Sequence, residues 1–461
     1  MATTSTEALR QPHQTWSNWP TFILAVSGSA VGLGNIWKFP YITGENGGGA
    51  FVLVYLVCIV AIGLPVMMAE IMLGRRGRRS PVNSMRALAR EARRSPRWAL
   101  LGVLMMAAAF IILSFYSVIA GWALPYIGHA VSGVFDGASA EAIGGLFGGM
   151  LASPANLILW HTVFMILTVA VSAGGVRAGI ERAVTILMPT LFMLLLVLIL
   201  YNLATDATSF GRGLEFLFNP DFSKLAPAAV LTALGHAFFT LSLAGGALFA
   251  YGSYLESGTS IARTSFAIVG VDTLVALMAG LAIFPIVFAN GLAPGAGPGL
   301  VFTTLPIAFG KMPGGQIIGV LFFVMLVVAA WTSSISMLEA LVEWLQERGF
   351  GRKTATFTIA SCAWLVGVTT VLSFNEWSGF HPLGFIAYFA DKTLFDLYDF
   401  LTANIMLPLG ALLMAVFAGW FMSPSETADE LAMGSSYGLW RFTIRYVAPI
   451  GIAVVFVTNI L

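Results

Sequence analysis

A chain of 461 residues that is 58% hydrophobic and only 10% charged, with 35 Phe and 12 Trp, excludes a soluble globular domain and reads as a polytopic membrane protein. A formal net charge of +1 gives no case for nucleic-acid binding. Cys58 and Cys362 fall inside apolar segments, which argues against a disulfide or a thiolate metal site.

Residues 1–15 carry no apolar run and predict no cleavable signal peptide. Eleven apolar segments follow, at about 20–44, 48–73, 97–128, 156–173, 178–203, 226–254, 262–289, 315–347, 352–373, 394–421 and 439–460. The 74–97 loop holds nine arginines (Arg75, Arg76, Arg78, Arg79, Arg86, Arg90, Arg93, Arg94 and Arg97), whereas 129–155 has neither Lys nor Arg. That asymmetry predicts a cytoplasmic N-terminus and an outer C-terminus. Arg177, Arg182, Arg263, Arg348, Arg352 and Lys353 fall on the same predicted inner loops.

The first segment breaks the rule that its neighbours obey. Between apolar stretches lie Gly28, Gly32, Gly34, Asn35, Lys38 and Pro40. Glycine unwinds a helix at little steric cost, and a bilayer tolerates freed carbonyls only beside protein or a water-filled cavity. The stretch is therefore either an ion or substrate site or a glycine-packed helix interface.

Segment three carries Ser114-Phe115-Tyr116 at mid-depth, a phenol that needs a partner. Segment five combines Gly179 and Pro189, which predicts either local unwinding of its inner half or a plain proline kink. Segment six is interrupted at Thr240-Leu-Ser-Leu-Ala-Gly-Gly246, as segment one is. Breaks in segments one and six suit two five-segment halves of inverted topology with binding at the midplane.

Asp272 in segment seven is a buried carboxylate that requires a cation, a proton or a partner. The Gly- and Pro-rich loop 290–314 is long enough to form an outer cap. Segment eight holds Trp331-Thr-Ser-Ser-Ile-Ser336. Such hydroxyls either bond their own backbone or, as a cluster, supply neutral oxygen ligands to a hard cation such as sodium.

Four motifs resemble the neurotransmitter:sodium symporter family: Ala30-Val-Gly-Leu-Gly-Asn-Ile-Trp-Lys-Phe-Pro40, Glu45-Asn-Gly-Gly-Gly-Ala-Phe51, Phe238-Phe-Thr-Leu-Ser242 and Thr332-Ser-Ser334. The resemblance implies an all-α polytopic membrane protein with a LeuT-like five-plus-five inverted repeat, broken helices one and six, and one extra helix. The divisions expected are a cytoplasmic segment 1–19, a first repeat 20–203, an outer loop 204–225, a second repeat 226–421, and an inner loop with the eleventh helix at 422–461.

The resemblance further implies two sodium ions. One sits on Ala30, Asn35, Thr240 and Asp272 with the substrate carboxylate, the other on Gly28, Val31, Ala329, Thr332 and Ser333. A shared ligand makes sodium and substrate raise each other's affinity by the same factor. Tyr116 matches the family's carboxylate-binding tyrosine, and the substrate pocket is expected from Ala30, Leu33, Gly34, Ile112, Tyr116, Ile119, Phe239, Thr240, Ser242, Gly245, Ser334 and Met337. Gly32 stands where monoamine transporters carry an aspartate, which favours a neutral α-amino acid. Gly245 replaces a bulky aromatic and enlarges the pocket toward large aliphatic or aromatic side chains.

Lys38 with Asp399 matches the outer gate, and Tyr116 with Phe239 the inner lid over the substrate. Lysine lacks the bidentate fork of the family's usual arginine, so a looser latch is expected. Trp16 and Glu347 match the cytoplasmic latch, with either His13 or Arg10 in the place of its arginine. At the family's chloride site the matching residues are Tyr55, His236, Asp272, Thr240 and Ala276. A carboxylate in place of an amide and the loss of one hydroxyl predict chloride independence. His236 is either a proton partner of Asp272 or a plain helix-contact histidine.

The reading is thus a sodium-coupled symporter of neutral L-amino acids in a bacterial inner membrane, with substrate and lipids as its partners and a monomer or homodimer as its state. A sensor or a channel of the same fold is the alternative. An enzyme is disfavoured, because His13, His129, His161, His236 and His381 are scattered and neither HExxH nor GxSxG occurs.

Overall fold

The computed structural model describes residues 16–294 and 299–460. His13 and Arg10, the two candidates for the latch arginine, lie outside the described residues. Helices dominate, and long apolar ones account for nine spans: Gly49–Gly77 (α2), Pro96–Val131 (α3), Pro154–Ser172 (α4), Val176–Thr205 (α5), Ile261–Ala289 (α7), Gly315–Gln346 (α8), Arg352–Ser373 (α9), Leu394–Phe421 (α10) and Gly434–Thr458 (α11).

The two remaining spans are broken. In α1, Trp19–Ala30 and Gly34–Glu45 meet at a 53° bend. In α6, Pro227–Thr240 and Ala247–Ser253 flank a non-helical stretch. Both breaks fall where glycines and hydroxyls interrupt the apolar pattern.

Local chemistry starts and ends these elements. Asn18 Oδ1 accepts the Thr21 amide at 2.9 Å before Pro20 opens α1. Proline likewise stands in the first turn of α4 and α6, where its missing N–H leaves nothing unsatisfied. In α5 the helix runs unbroken from Val176 to Thr205 through Pro189, with a π-turn at Val176–Glu181. Of the two readings of Gly179 and Pro189, the structure has no unwound inner half.

The α6 break is conformationally costly. Ser242, Ala244 and Gly246 all have positive φ, at 52°, 59° and 77°, and the first two carry a Cβ that disfavours it. Glu70 of α2 offsets this by accepting the Ala244 amide at 2.8 Å.

Helices two and six pack back to back on small residues. A Cβ on Gly74 would lie 2.1 Å from Phe249 O, and one on Gly252 2.8 Å from Ile71 O. Such approach is how helices associate where lipid supplies no hydrophobic drive. The longest pair, α3 and α8, packs across the middle of the bundle.

The connections are themselves structured. Helices Ala140–Leu151, Ala207–Phe218 and Leu300–Phe309 lie on one face. Helices Pro81–Glu91 and Pro424–Leu431 lie on the arginine-rich face.

Candidate functional site

The two breaks meet at a cavity between α1, α3, α6, α8 and α10. Of the expected pocket residues, Ala30, Leu33, Gly34, Ile112, Tyr116, Phe239, Ser242, Gly245 and Met337 line it. The Tyr116 hydroxyl accepts the Leu33 amide at 3.4 Å, so the phenol sits over the freed amides of α1. A Cβ on Gly32 would lie 2.5 Å from Ser333 Oγ and 3.1 Å from Tyr116 OH. Only glycine leaves that wall open.

Three expected residues do not line the cavity. Ser334 faces α4, its hydroxyl 2.8 Å from Thr168 Oγ1 and donating to Trp331 O. Helical periodicity explains this: Ser333, Ser336 and Met337 share one side of α8, and Ser334 lies one step round from Ser333. Ile119 is buried in the core one turn beyond Tyr116. Thr240 turns its hydroxyl to Asp272, 3.2 Å from each carboxylate oxygen.

Asp272 is fully buried and held from two sides, by Thr240 and by the Asn35 amide. Asn35 Nδ2 donates to Asp272 Oδ1 at 2.8 Å and to its carbonyl at 3.0 Å, while Asn35 Oδ1 accepts the Gly32 amide at 3.1 Å. A carboxylate and a hydroxyl are thus gathered beside the break, with Ala30 on the cavity wall, while the Asn35 amide oxygen is turned to the Gly32 amide. That donor set suits a hard cation.

A second oxygen cluster lies between α1 and α8. Ser333 Oγ is 3.5 Å from Gly28 O, 3.3 Å from Val31 O and 3.5 Å from Ala329 O. Thr332 Oγ1 is 3.0 Å from Ala329 O. Oxygens bound at about 2.4 Å to one cation stand about 3.4 Å apart when adjacent. The Ser333 spacings are too long for strong hydrogen bonds and suit a shared ion, whereas Thr332 makes an ordinary bond to the Ala329 carbonyl.

The expected latches differ in state. Lys38 and Asp399 make no ion pair among the described residues, and the Lys38 ammonium lies 4.2 Å from the Phe239 ring centroid. Cation–π attraction to an aromatic face competes with a lysine–carboxylate contact that has no fork geometry to favour it.

Trp16 and Glu347 do not meet each other. The Trp16 indole donates to Tyr251 O at 3.1 Å, and Glu347 accepts the Ser80 amide at 2.7 Å together with the Ser80 hydroxyl and the Asn83 amide. Glu347 sits at the N-terminus of helix Pro81–Glu91, where the helix dipole favours an anion.

The arginine-rich face carries other contacts. Glu181 accepts the Ser17 amide at 2.7 Å and its hydroxyl at 2.6 Å. Glu339 accepts Tyr254 OH at 3.0 Å and Arg352 Nη1 at 2.7 Å.

His236 stacks against Phe39 and Tyr55, with centroids 5.9 and 5.3 Å away, and neither ring nitrogen has a hydrogen-bond partner among the described residues. The geometry matches neither reading: His236 makes no hydrogen bond to Asp272, and its helix contacts leave both ring nitrogens unsatisfied among the described residues.

Sequence reasoning missed Glu70, Ser29 and Ser336. Glu70 had a signal, a lone carboxylate inside an apolar run. Ser29 and Ser336 had none beyond the hydroxyl clusters to which they belong.

The sodium:neurotransmitter symporter family model matches residues 13–138 and 149–461. The chain belongs to that family. The sodium-dependent transporter YhdH of Bacillus subtilis (strain 168), itself called uncharacterized, is 40% identical over 96% of this chain and 97% of that protein. Another uncharacterized sodium-dependent transporter, from Haemophilus influenzae, is 34% identical over 97% of this chain and 98% of that one. The crystal structure of MhsT in complex with L-phenylalanine matches with a TM-score of 0.85 and 42% identity, over 97% of this chain and 99% of that one.

Membership makes the protein a multi-pass, sodium-dependent transporter and not an enzyme. The LeuT-like all-helical class expected from the motifs holds, with both broken spans where the family motifs lie.

Proposed function

We propose that the protein imports neutral, hydrophobic or aromatic L-amino acids by sodium-coupled alternating access, without need of chloride. The observation that supports this reading is one largely apolar cavity with Ser333 of the second oxygen cluster on its lining, and with Gly34 and Phe239, the chain neighbours of Asn35 and Thr240 in the first cluster, on its lining too. A substrate carboxylate docks at the α1 break under Tyr116 and completes the Asp272 cluster, so ion and substrate each bind better with the other present. The second ion occupies the Ser333 cluster and ties α1 to α8. Unpaired Lys38 and Asp399 on one face, with the Glu181 and Glu339 contacts closed on the other, support an outward-facing state. The arginine-rich face is then cytoplasmic, as the positive-inside rule requires.

The side chain meets Ile112, Gly245 and Met337, and no charged residue among the described residues lines the cavity. Neutral substrates follow, because a charge placed there would lack a partner. MhsT, solved with L-phenylalanine, lends weight to an aromatic amino acid. Asp272 supplies the fixed negative charge beside the first ion and makes an added anion unnecessary.

Purified protein in proteoliposomes tests this. Labelled phenylalanine should accumulate only under an inward sodium gradient, and equally in chloride and gluconate. Accumulation without sodium sinks the coupling, and a several-fold rise with chloride sinks the anion argument. Counterflow of labelled substrate separates a carrier from a sensor.

A further inference from the structure

The apolar cavity has one polar wall, and its hydrogen bonds run in a fixed direction. Ser29 of α1 donates its hydroxyl proton to Ser336 Oγ of α8 at 2.8 Å. Ser336 donates in turn to Ser333 O at 2.7 Å. Ser242, in the α6 break, donates to Ser29 O at 3.1 Å. All three residues line the cavity, and all three hydroxyl protons are engaged inside the protein. Each hydroxyl has one proton and two lone pairs. This wall therefore retains acceptors and presents no donor.

The wall beside it is built of small residues. Ala109 and Ala247 line the same cavity with the smallest side chains that have a Cβ, and a Cβ built on Gly245 would touch only Ser242 O, at 3.3 Å. The other donors on the cavity wall are the α1 amides and Tyr116, where the amino-acid carboxylate docks, and the Ser333 hydroxyl, which faces the Ser29 carbonyl at 3.4 Å.

Resting on the amino-acid reading above, we propose that the Ser29–Ser336 pair selects substrates whose aromatic ring carries a hydrogen-bond donor, the phenol of tyrosine or the indole of tryptophan, over phenylalanine. A ring N–H or O–H gives the serine lone pairs a partner; a bare phenyl ring leaves them dry. A substituent that only accepts, such as a ring fluorine, gains nothing there. One neutral hydrogen bond corresponds to about a fivefold difference in affinity.

The test is calorimetric or thermal-shift titration of the full-length protein in sodium with L-tryptophan, L-tyrosine, L-phenylalanine and 3-benzothienyl-L-alanine, whose sulfur replaces the indole N–H at nearly the same volume. Tryptophan should bind about fivefold tighter than the benzothienyl isostere, and tyrosine tighter than phenylalanine by a similar factor. S336A should narrow both ratios toward one. The wild-type isostere ratio stands as a test even if the variant does not fold. Equal affinity for tryptophan and its isostere, or ratios that S336A leaves unchanged, overturns the proposal while leaving sodium-coupled amino-acid transport intact. Absence of any sodium-dependent amino-acid binding overturns the transport reading and this proposal with it.

Discussion

Replacing Ser333 by alanine removes one oxygen from the α1–α8 cluster and little else. Its hydroxyl lies 3.3–3.5 Å from the carbonyls of Val31, Ser29, Gly28 and Ala329. A neutral oxygen facing a cation is comparable to a hydrogen bond to a charged group, about 1.5–3 kcal/mol. Sodium affinity should fall by about 10-fold to 150-fold. Linkage carries the loss to the amino acid: at sodium below saturation, substrate affinity falls too, and high sodium restores it. The assay is a sodium titration of substrate-induced thermal stabilisation, with choline holding ionic strength constant. A half-saturating sodium concentration within twofold of wild type, in a folded variant, would refute the assignment of this cluster to an ion.

Three further outcomes follow from the geometry. Gly32→Ala places a Cβ 2.5 Å from Ser333 Oγ and 3.1 Å from Tyr116 OH; amino-acid binding should weaken more than about tenfold, as measured by titration, and undiminished affinity would contradict the cavity wall described. Gly74→Ala drives a Cβ to 2.1 Å from Phe249 O; α2 and α6 must separate, so the yield of monodisperse protein and its melting temperature should both drop. Arg75 is 4% exposed and donates to Glu430 Oε1 and Thr259 O, each at 2.5 Å; Arg75→Ala leaves Glu430 with only its 3.7 Å contact to Arg76 and should lower the melting temperature by several degrees, whereas an unchanged melting curve would remove this contact from the account of stability.

The breaks in α1 and α6 were legible because glycines and hydroxyls there conflict with the apolar runs around them, and a bilayer punishes such conflict unless it serves a site. Asp272 was legible on the same ground. The depth of Thr332 and Ser333 could be read from the run, but the direction in which each hydroxyl points could not. Neighbouring serines on a helix differ by about 100° in direction, and that rotation turns Ser334 toward Thr168 and Ser336 toward Ser29.

Contacts between distant segments were the least visible. Trp16 chose Tyr251, and Glu347 chose a helix N-terminus 267 residues away in the chain at Ser80. Either glutamate or tryptophan satisfies its polar atoms equally well with several partners, and only the packed bundle decides which one is in reach. Glu70 shows the reverse case, a buried charge visible in the run whose partner, the strained α6 backbone, existed only once the break had formed.

The central claim is that sodium and an amino acid occupy one coupled site. Thermal-shift screening of the twenty common amino acids, in sodium and again in potassium, tests it most directly. The account predicts stabilisation by large neutral amino acids in sodium alone. Equal stabilisation in both salts would contradict it, because the carboxylate would then bind without the ion.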